Sequence, residues 1–568
     1  MQRAFWLIKK TNLYRRPKLK QTKNLKVRFF GGVGEIGKNM TALEFGKDIL
    51  VIDAGLSFPS DDMPGIDLVI PDISYLVENK SRVRGVVLTH GHEDHIGSLP
   101  YFLKEINVPV FGTKLTLTLA ENKLKEHKLA DVSLNCVKAG ATIKLGCFSI
   151  EFINVNHSIA GAVALSITTP VGVVFHSGDF KIDFTPINGE YMNLERIGAI
   201  GKKGVLLMLA ESTNVERNGY TMSEKVVGET LDHVFADNVD RRLIIATFAS
   251  NVHRLQQILD LAVKYKRKVV FSGRSMLNVC ESASKIGELN IPEKLIVDVD
   301  KLKNFRDGEI LIVSTGSQGE PMSALTRMAS GEFNKVTIGA NDTVVISASP
   351  IPGNEKMIYG VINNLYRKGA EVIYESLEPI HVSGHACREE LKILHSLVKP
   401  KFFIPVHGEY RHLKKHALLA EEMGMKKGNI LIADIGSTVC VTSRTMKNDN
   451  AFSAGTRLVD GLGIDDAESV VLRDRIHLSE DGLLVVVVCL DERSGYIVST
   501  DIIGKGFVAD EKLVAEIKTA LDNSLYSIDN KKGGNRGEIK NAIRRSIKNL
   551  IFKKTKKNPM ILPVIMEV

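Results

Sequence analysis

A cluster of metal-capable side chains in the stretch LTHGHEDHIG, residues 88–97, constrains the fold more than any other feature. Three imidazoles and two carboxylates fall within the six residues from His90 to His95. The apolar run GVVLT before them is typical of a buried strand, and the loop after a strand is free to carry chemistry. Imidazoles with a carboxylate suit zinc or another borderline divalent ion. His90, His92, Asp94 and His95 therefore predict a metal site at a strand end.

The same pattern of an apolar run followed by a metal-capable residue recurs three times. His157 follows FINVN, Asp179 follows VVFHSG and His407 follows FFIPV. Each residue taken alone is better explained as a capping or hydrogen-bonded group at a strand end. Taken together they predict the remaining ligands of two ions, with Asp179 as a candidate bridge. Two ions about 3.5–4 Å apart share a hydroxide and clamp a phosphoryl oxygen during in-line displacement.

The predicted pattern of secondary structure changes near Ser212. Before it, short strand-like runs dominate; after it, strands alternate with helical stretches, which indicates a parallel α/β block. Near His381 the strand-then-ligand pattern returns. The sequence therefore predicts that the α/β block is inserted into the first domain. A last unit begins near Gly455 and ends in a basic amphipathic helix.

Both ends of the chain are basic, although the net charge of +9 over 568 residues is moderate. Residues 1–28 contain ten Lys or Arg and no acid, and residues 531–557 contain eleven Lys or Arg and one acid. Two interpretations stay open at each end: a polyanionic partner, nucleic acid first, or a solvated tail. No run of about 18 uncharged apolar residues predicts a membrane span. The apolar core of MQRAFWLIKK is too short for a signal peptide.

The cysteines form no CxxC pair, which argues against a cysteine zinc site and fits a reducing compartment. We expect most of them to be buried small hydrophobes. The six are Cys136, Cys147, Cys280, Cys387, Cys440 and Cys489.

The motifs as a set resemble the bacterial ribonuclease J family. They are THGHEDHIG, GGVGEIGKNM, DAG at Asp53, NHSI, SGDFK, ESTN, HVSGHA and PVHGE. The resemblance implies an α/β protein, a metallo-β-lactamase αββα sandwich with an inserted β-CASP α/β domain and a small C-terminal α+β domain. It implies a basic extension over 1–25, the sandwich over 26–211 and 376–450, the β-CASP domain over 212–375 and the C-terminal domain over 455–568.

The resemblance also implies residue roles. His90, His92 and His157 would hold one ion, Asp94, His95 and His407 the other, and Asp179 would bridge them. Asp53 would orient a ligand histidine. His385 would protonate the leaving oxygen, with Glu211 setting its charge and orientation. Glu211 stands where the family's Asp is expected, and its arm is one methylene longer.

A pocket for a 5′-terminal phosphate is implied for HVSGHA, whose residues are His381, Val382, Ser383, Gly384, His385 and Ala386. Ser383 offers a hydroxyl, and Gly384 lets backbone N–H groups approach an anion. Ser250 and Asn251 precede a helix and are candidates to meet phosphate at its positive end. For Ser250, a helix cap without a ligand is an equally good interpretation.

The leading hypothesis is a two-metal ribonuclease of RNA maturation and mRNA decay, with 5′→3′ exonuclease activity preferring a 5′-monophosphate and some endonuclease activity. In it a metal-bound hydroxide attacks the phosphodiester. The ions are expected to be Zn²⁺, with Mn²⁺ or Mg²⁺ as alternatives. Two other hypotheses stay open: a small-molecule hydrolase of the same superfold, such as a thioesterase or lactonase, and a weakly active partner subunit of an RNA-decay complex.

The expected partners are single-stranded 5′-monophosphorylated RNA, a second copy of the chain in a dimer or tetramer, a paralogous subunit and other RNA-decay proteins, in the cytoplasm and without a membrane. A stripe of Ile539, Ile543, Ile547 and Leu550 on the last helix predicts either core or subunit interface. Because the C-terminal unit supports assembly in the family, the interface is favoured.

Overall fold

A computed structural model describes residues 24–60, 62–318, 320, 323–350, 354–461, 463–465, 469–493, 496–507, 510–529 and 536–568. All but two residues of the predicted basic extension lie outside these ranges. The described residues form two compact units. One holds the chain up to Leu56 together with Pro71–Gly455, and the other holds Ser57–Ile70 together with Thr456–Val568.

The described residues before the inserted region form twelve strands and five α-helices, numbered here in chain order. The strands are β1 (Leu25–Gly31), β2 (Met40–Phe45), β3 (Asp48–Ile52), β4 (Leu68–Pro71), β5 (Val83–Val87), β6 (Val110–Gly112), β7 (Leu134–Cys136), β8 (Thr142–Leu145), β9 (Phe148–Asn154), β10 (Val163–Thr169), β11 (Gly172–His176) and β12 (Leu207–Glu211). The helices are α1 (Ser74–Glu78), α2 (Glu93–Ile96), α3 (Leu99–Glu105), α4 (Lys114–Glu126) and α5 (Leu194–Lys203).

The inserted α/β region contains the next strands and helices. They are α6 (Glu224–Asp237), β13 (Arg242–Thr247), α7 (Val252–Lys264), β14 (Lys268–Ser272), α8 (Arg274–Lys285), β15 (Ile310–Ser314), α9 (Ala324–Ser330), β16 (Asp342–Ser347), α10 (Glu355–Arg367) and β17 (Glu371–Tyr374). The strands form one parallel sheet in the order β14-β15-β13-β16-β17. The predicted parallel α/β architecture is confirmed.

The chain then returns to the sandwich with α11 (Arg388–Val398), β18 (Phe402–Val406), α12 (Tyr410–Glu422), β19 (Thr438–Val441) and β20 (Met446–Asn448). One sheet has eight strands in the order β20-β19-β1-β2-β3-β5-β6-β7, and the other has six in the order β18-β12-β11-β10-β9-β8. A buried apolar core lies between them, including Phe29, Leu50, Phe152 and Leu165. A further core packs α5, α11 and α12 on the outer face of the six-stranded sheet. The αββα sandwich is confirmed.

Parallel pairing explains why residues far apart in sequence meet. β11, β12 and β18 run parallel and side by side, so their carboxyl ends share one sheet edge. β3 and β5 are also parallel neighbours, in the other sheet. The residues that follow these strands are therefore gathered at one end of the sandwich.

The second unit has β21 (Thr456–Asp460), β22 (Gly463–Asp465), α13 (Ser469–Asp481), β23 (Leu483–Leu490), β24 (Ile497–Lys505), α14 (Glu511–Asp529), α15 (Arg536–Thr555) and β25 (Met560–Glu567). β4 joins β21 and β22 in a small sheet, so Ser57–Ile70 belongs with this unit although it lies early in the chain. The sequence pattern did not predict that residues 57–70 belong to the second unit.

The predicted assembly role of the α15 stripe is wrong. Ile539, Ile543 and Ile547 are buried against the sheet β24-β23-β25 of the same unit, and Leu550 packs beside them. The helix face finds its apolar partner within the chain, so it is core and not subunit interface.

The expectation for the cysteines is wrong in part. Only Cys280 and Cys387 are buried; Cys136 is exposed and the other three are half-buried, and all six are free thiols. Among the described helices none has the length and apolarity needed to cross a membrane.

Candidate metal centre and active site

The seven predicted ligands come together at the edge where the strands end. His90 follows β5, and His92 is the residue before α2, which places Asp94 and His95 in the first turn of that helix. His157, Asp179 and His407 follow β9, β11 and β18. All of these except His92 and Asp94 are buried, and those two are half-buried.

Three imidazoles form a first group. Nδ1 of His92 lies 3.1 Å from Nε2 of His90 and 3.1 Å from Nε2 of His157. The carbonyl of Gly384 accepts a hydrogen bond from Nδ1 of His157 at 2.7 Å, which leaves Nε2 free to face the other two rings.

A second group contains Asp94, His95 and His407. Oδ2 of Asp94 lies 3.5 Å from Nε2 of His95 and 3.2 Å from Nε2 of His407. The backbone of His407 is left-handed, with φ of +50°. A non-glycine residue in that conformation is strained and is held there by its surroundings, as is common at functional sites.

Asp179 lies between the two groups. Its Oδ2 is 3.2 Å from Nε2 of His95, 3.6 Å from Nε2 of His90 and 3.9 Å from Nε2 of His157. Its Oδ1 is 2.8 Å from Nδ1 of His407. One carboxylate therefore faces imidazoles of both groups, which is the arrangement expected of a bridging ligand.

These residues fit divalent ions by two observations. Oδ2 of Asp179 and Nε2 of His407 are buried and each lies 3.2 Å from an ion-pair neighbour, but neither makes a well-aligned hydrogen bond to a described residue, which is costly unless something else satisfies them. The ligand atoms of each group also lie within 4.8 Å of one another. Tetrahedral zinc with ligands at about 2.0–2.1 Å places its ligand atoms roughly 3.3 Å apart, close to the spacings seen here.

Burial and charge act differently on the two groups. Burial lowers the pKa of His92 to about 4 and holds the pKa of His90 and His157 well below the usual value, so these rings are neutral, the form that binds metal. Burial also opposes protonation of His407, yet the carboxylates of Asp179 and Asp94 raise its pKa to about 10. The second group thus holds its carboxylates and imidazoles as charged pairs, ready to exchange protons for a cation.

Asp53 supports the second group from behind. Its Oδ2 lies 2.8 Å from Nδ1 of His95 and fixes the orientation of that ring. Both of its oxygens accept hydrogen bonds from Thr89, from the backbone N–H at 2.7 Å and from the hydroxyl at 2.8 Å. Like His407, Asp53 is left-handed, with φ of +60°.

Glu211 and His385 form a separate pair beside Asp179. Oε2 of Glu211 lies 2.9 Å from Nδ1 of His385, and Oε1 accepts the backbone N–H of Phe180 at 2.9 Å. The longer side chain therefore reaches the histidine without difficulty. Burial lowers the pKa of His385, but the adjacent Glu211 and then Asp179 outweigh it, so the net pKa is raised.

The HVSGHA segment lies against the first group. Gly384 packs on His157, where an added Cβ would come within 2.6 Å of the ring. Ser383 Oγ accepts hydrogen bonds from Nδ2 of Asn214 at 2.8 Å and from the backbone N–H of His385. Nδ1 of His381 lies 2.6 Å from Oγ of Ser349. The side chains of Val382 and Ala386 are buried in cores, so only the backbone groups of these two residues could contact a ligand.

Asn251, not Ser250, is the cap of α7. Its side chain accepts the backbone N–H of Arg254 at 3.0 Å and donates to Glu224 at 3.3 Å. Ser250 is half-buried one residue earlier and makes no side-chain contact of that kind. The capping interpretation therefore applies to Asn251, and the hydroxyl of Ser250 is not used to cap the helix.

Two residues that contact the ligands were missed in the sequence. Thr89 holds Asp53, and Asn39 donates from Nδ2 to Oδ2 of Asp94 at 3.2 Å. Thr89 precedes His90 directly, so its position beside the motif was a usable signal. Asn39 lies at the end of a glycine-rich turn 55 residues before Asp94, and only the folded chain brings the two side chains together.

Family models match four parts of the chain. The metallo-beta-lactamase superfamily matches residues 33–198, the ribonuclease J beta-CASP domain 240–365, the Zn-dependent metallo-hydrolase RNA specificity domain 369–432 and the ribonuclease J C-terminal domain 470–568. The matches follow the order of the structural regions described above.

Whole-chain relatives carry the same names. Ribonuclease J2 of Bacillus subtilis (strain 168) is 41% identical over 97% of this chain and 100% of its own length. Ribonuclease J of Thermus thermophilus is 41% identical over 94% of each chain. A crystal structure of an Enterococcus faecalis V583 protein of unknown function covers 74% of this chain and 100% of its own, with a TM-score of 0.52 and 18% identity, a likeness of fold alone.

Proposed function

The chain belongs to the ribonuclease J family and is a metal-dependent ribonuclease, and on that premise we propose that it degrades RNA from the 5′ end, prefers a 5′-monophosphate and also cuts internally. We assign it to RNA maturation and mRNA decay. The observation that carries the proposal is the position of Asp179 between two groups of imidazoles, with an unsatisfied buried oxygen.

We assign His90, His92 and His157 to one ion, Asp94, His95 and His407 to the second, and Asp179 to both. Zinc is the favoured metal because imidazole predominates among these ligands, and manganese or magnesium are alternatives. Two such ions, when bound, lower the pKa of water and offset the charge that develops on a phosphoryl group in transfer.

The protein's own residues hold and move protons around that centre. Asp53, fixed by Thr89, holds the ring of His95 so that its Nε2 faces the cluster. The carboxylate of Glu211 orients His385 and raises its pKa against the effect of burial, which favours the protonated ring. His385 then gives its proton to the oxygen that leaves when the phosphodiester is cleaved. Such proton transfer by a positioned side chain contributes typically 10²–10⁴-fold to a rate.

We further propose that the 5′-terminal phosphate meets the HVSGHA segment and the start of α7. Support comes from the position of Gly384 against His157, which puts this backbone beside the centre. The half-buried hydroxyl of Ser250 near the positive end of α7 adds a second possible donor. Asn251 is the weaker member because its side chain already caps α7 and contacts Glu224.

We also propose that the chain assembles with a second copy through the C-terminal unit, in the cytoplasm, and that it works with a paralogous subunit and other RNA-decay proteins. The helix α15 no longer supports this, but the outer face of the sheet β24-β23-β25 does. Ile503 and Leu562, which flank Val485 in register, are each 47% exposed, and Met566 is 50% exposed. An exposed apolar sheet face favours association, and light scattering measures the mass directly.

The domain division predicted from the sequence is retained as part of the proposal, with one change. The sandwich spans 26–211 and 376–450, the inserted domain 212–375 and the C-terminal domain 455–568. The segment Ser57–Ile70 is reassigned to the C-terminal unit, because β4 pairs there.

One digestion series tests the function. A 3′-labelled RNA is prepared with a 5′-monophosphate, triphosphate or hydroxyl and incubated with the protein, with and without a chelator. We expect progressive shortening from the 5′ end, fastest for the monophosphate and absent with chelator. Equal rates for the three ends would remove the 5′-phosphate proposal, and cleavage that survives chelation would contradict the metal assignment. Turnover of a thioester or lactone without RNA cleavage would favour a small-molecule hydrolase.

A further inference from the structure

Five apolar side chains stand exposed on two neighbouring loops, and we call them the aromatic rim. They are Phe184 (61% exposed), Ile187 (37%), Tyr191 (62%), Tyr220 (55%) and Met222 (51%). Scattered single apolar residues on a surface are ordinary, but a group of large ones marks a contact site. None of the residue roles proposed above uses any of them.

The first loop connects β11 to α5 and carries Phe184, Ile187 and Tyr191. It is bonded to the strand end that leads to His157: the carbonyl of Tyr191 accepts from Nδ2 of Asn154 at 2.9 Å, and the carbonyl of Glu190 accepts from Nδ2 of Asn156 at 2.7 Å. The loop is therefore fixed relative to a proposed metal ligand.

The second loop lies before α6 and carries Tyr220 and Met222. The hydroxyl of Thr221, between them, donates to the carbonyl of His385 at 2.7 Å. The carbonyl of Met222 accepts from Nζ of Lys181, two residues after Asp179, at 3.1 Å. A bond from the hydroxyl of Ser223 to the carbonyl of Thr185 joins this loop to the first.

A polar cavity lies beside the rim and shares its wall with the centre. His157 and Ser158 line it on one side, Ile187 and Glu190 of the first loop on another, and Asn251 and His253 of the inserted region on a third. Through Ile187 the rim therefore reaches a cavity that the proposed metal ligand His157 also lines.

We propose that the aromatic rim is a stacking surface for unpaired bases of the RNA next to the scissile phosphate. Every base has a face that stacks on an aromatic ring, so such a surface holds a strand without reading its sequence, as a nuclease of many targets requires. Phe184 and Tyr191 are the principal residues, because they are aromatic, the most exposed and on one anchored loop. The inference rests on the proposed function, since it needs RNA as the substrate.

The test compares the RNA affinities of rim variants of the full-length protein. All variants carry His92→Ala, which is expected to prevent cleavage. Fluorescence anisotropy gives the Kd of a labelled single-stranded RNA and of the same strand with abasic ribose at successive positions. We expect the parent to prefer the base-bearing strand by at least ~10-fold at some positions. Phe184→Ala with Tyr191→Ala should abolish that preference, whereas Phe184→Tyr with Tyr191→Phe should keep it.

Tyr366→Ala is the matched control, since Tyr366 is 49% exposed near the far end of α10 and is no part of the rim. It should leave the preference intact. If the double alanine variant binds the base-bearing RNA with an unchanged Kd, the inference is overturned. A changed oligomeric mass in that variant, with RNA affinity retained, would also overturn it and would assign the rim to a protein contact. Failure of the wild-type protein to cleave any RNA would instead refute the proposed function.

Discussion

Two clusters of buried histidines in the first unit differ in what surrounds them. Around Asp179 the imidazoles share carboxylates, and two buried atoms make no well-aligned hydrogen bond to a described residue. The other cluster pairs His395 of α11 with His416 of α12, whose Nε2 atoms lie 3.1 Å apart, while Nδ1 of His416 lies 3.0 Å from Oγ of Ser212. Phe403 packs its ring against both.

In the second cluster, Nε2 of His395 and both ring nitrogens of His416 find hydrogen-bond partners within the protein. Burial lowers the pKa of His395 to about 4 and holds that of His416 well below its usual value, and no carboxylate contributes to either shift. Two neutral rings hydrogen-bonded to each other and to a hydroxyl need no ion. The difference teaches that burial of histidines does not indicate a metal site; shared carboxylates and unsatisfied atoms do.

The largest expected effect separates the clusters by activity. Asp179→Ala or His92→Ala removes a proposed metal ligand and should lower cleavage of 5′-monophosphorylated RNA by at least ~10³-fold, equivalent to about 4 kcal/mol of transition-state stabilisation. His395→Gln should retain cleavage within a few-fold, because it touches no ligand. Initial rates on end-labelled RNA measure both, and full activity in Asp179→Ala would break the distinction between the clusters.

The second effect is on stability against pH. The folded pKa of His395, about 4, lies below that of an unfolded histidine, about 6.5, so the stabilisation is present above pH 6.5 and is lost as pH falls towards 4. Lowering the pH from 7 to 4.5 should reduce the free energy of unfolding by about 2 kcal/mol through the protonation of His395 alone. Urea unfolding of chelated wild-type protein and His395→Gln at the two pH values gives the difference. If the wild-type protein and His395→Gln lose equal stability, the His395–His416 pair is not a pair of neutral buried rings.

The smallest effect concerns the residues that hold the ligands. Thr89→Val keeps the shape and the backbone N–H but removes the hydroxyl bond to Asp53, and it should weaken metal affinity about tenfold. Thr118→Val is the matched control, because the Thr118 hydroxyl donates only to the carbonyl of Lys114 in α4. Competition with a chromogenic chelator gives both affinities. Equal affinities would show that Asp53 is oriented adequately by the backbone alone.

The sequence predicted the convergence of the ligands because apolar runs ending in His or Asp are local signals, and it predicted the inserted sheet because strands alternate there with helices. The sandwich itself was predicted from the resemblance of the motifs to a known family. The parallel pairing of β11, β12 and β18 then brings Asp179, Glu211 and His407 to one edge of the six-stranded sheet. What it did not predict depends on tertiary packing. The stripe of α15 has the same pattern whether the chain or a second copy covers it. Asn39 lies within the motif GGVGEIGKNM, but its partner Asp94 is 55 residues away, so the motif alone does not reveal the contact. His395 and His416 are 21 residues apart and belong to none of the motifs.

The central claim is that Asp179 organises a two-ion centre that the second cluster lacks. Elemental analysis after equilibrium dialysis against zinc counts the bound ions per chain. We predict two ions for the wild-type protein, two for His395→Gln and fewer than two for Asp179→Ala. A wild-type chain that retains no ion, or an Asp179→Ala chain that retains two, would contradict the account.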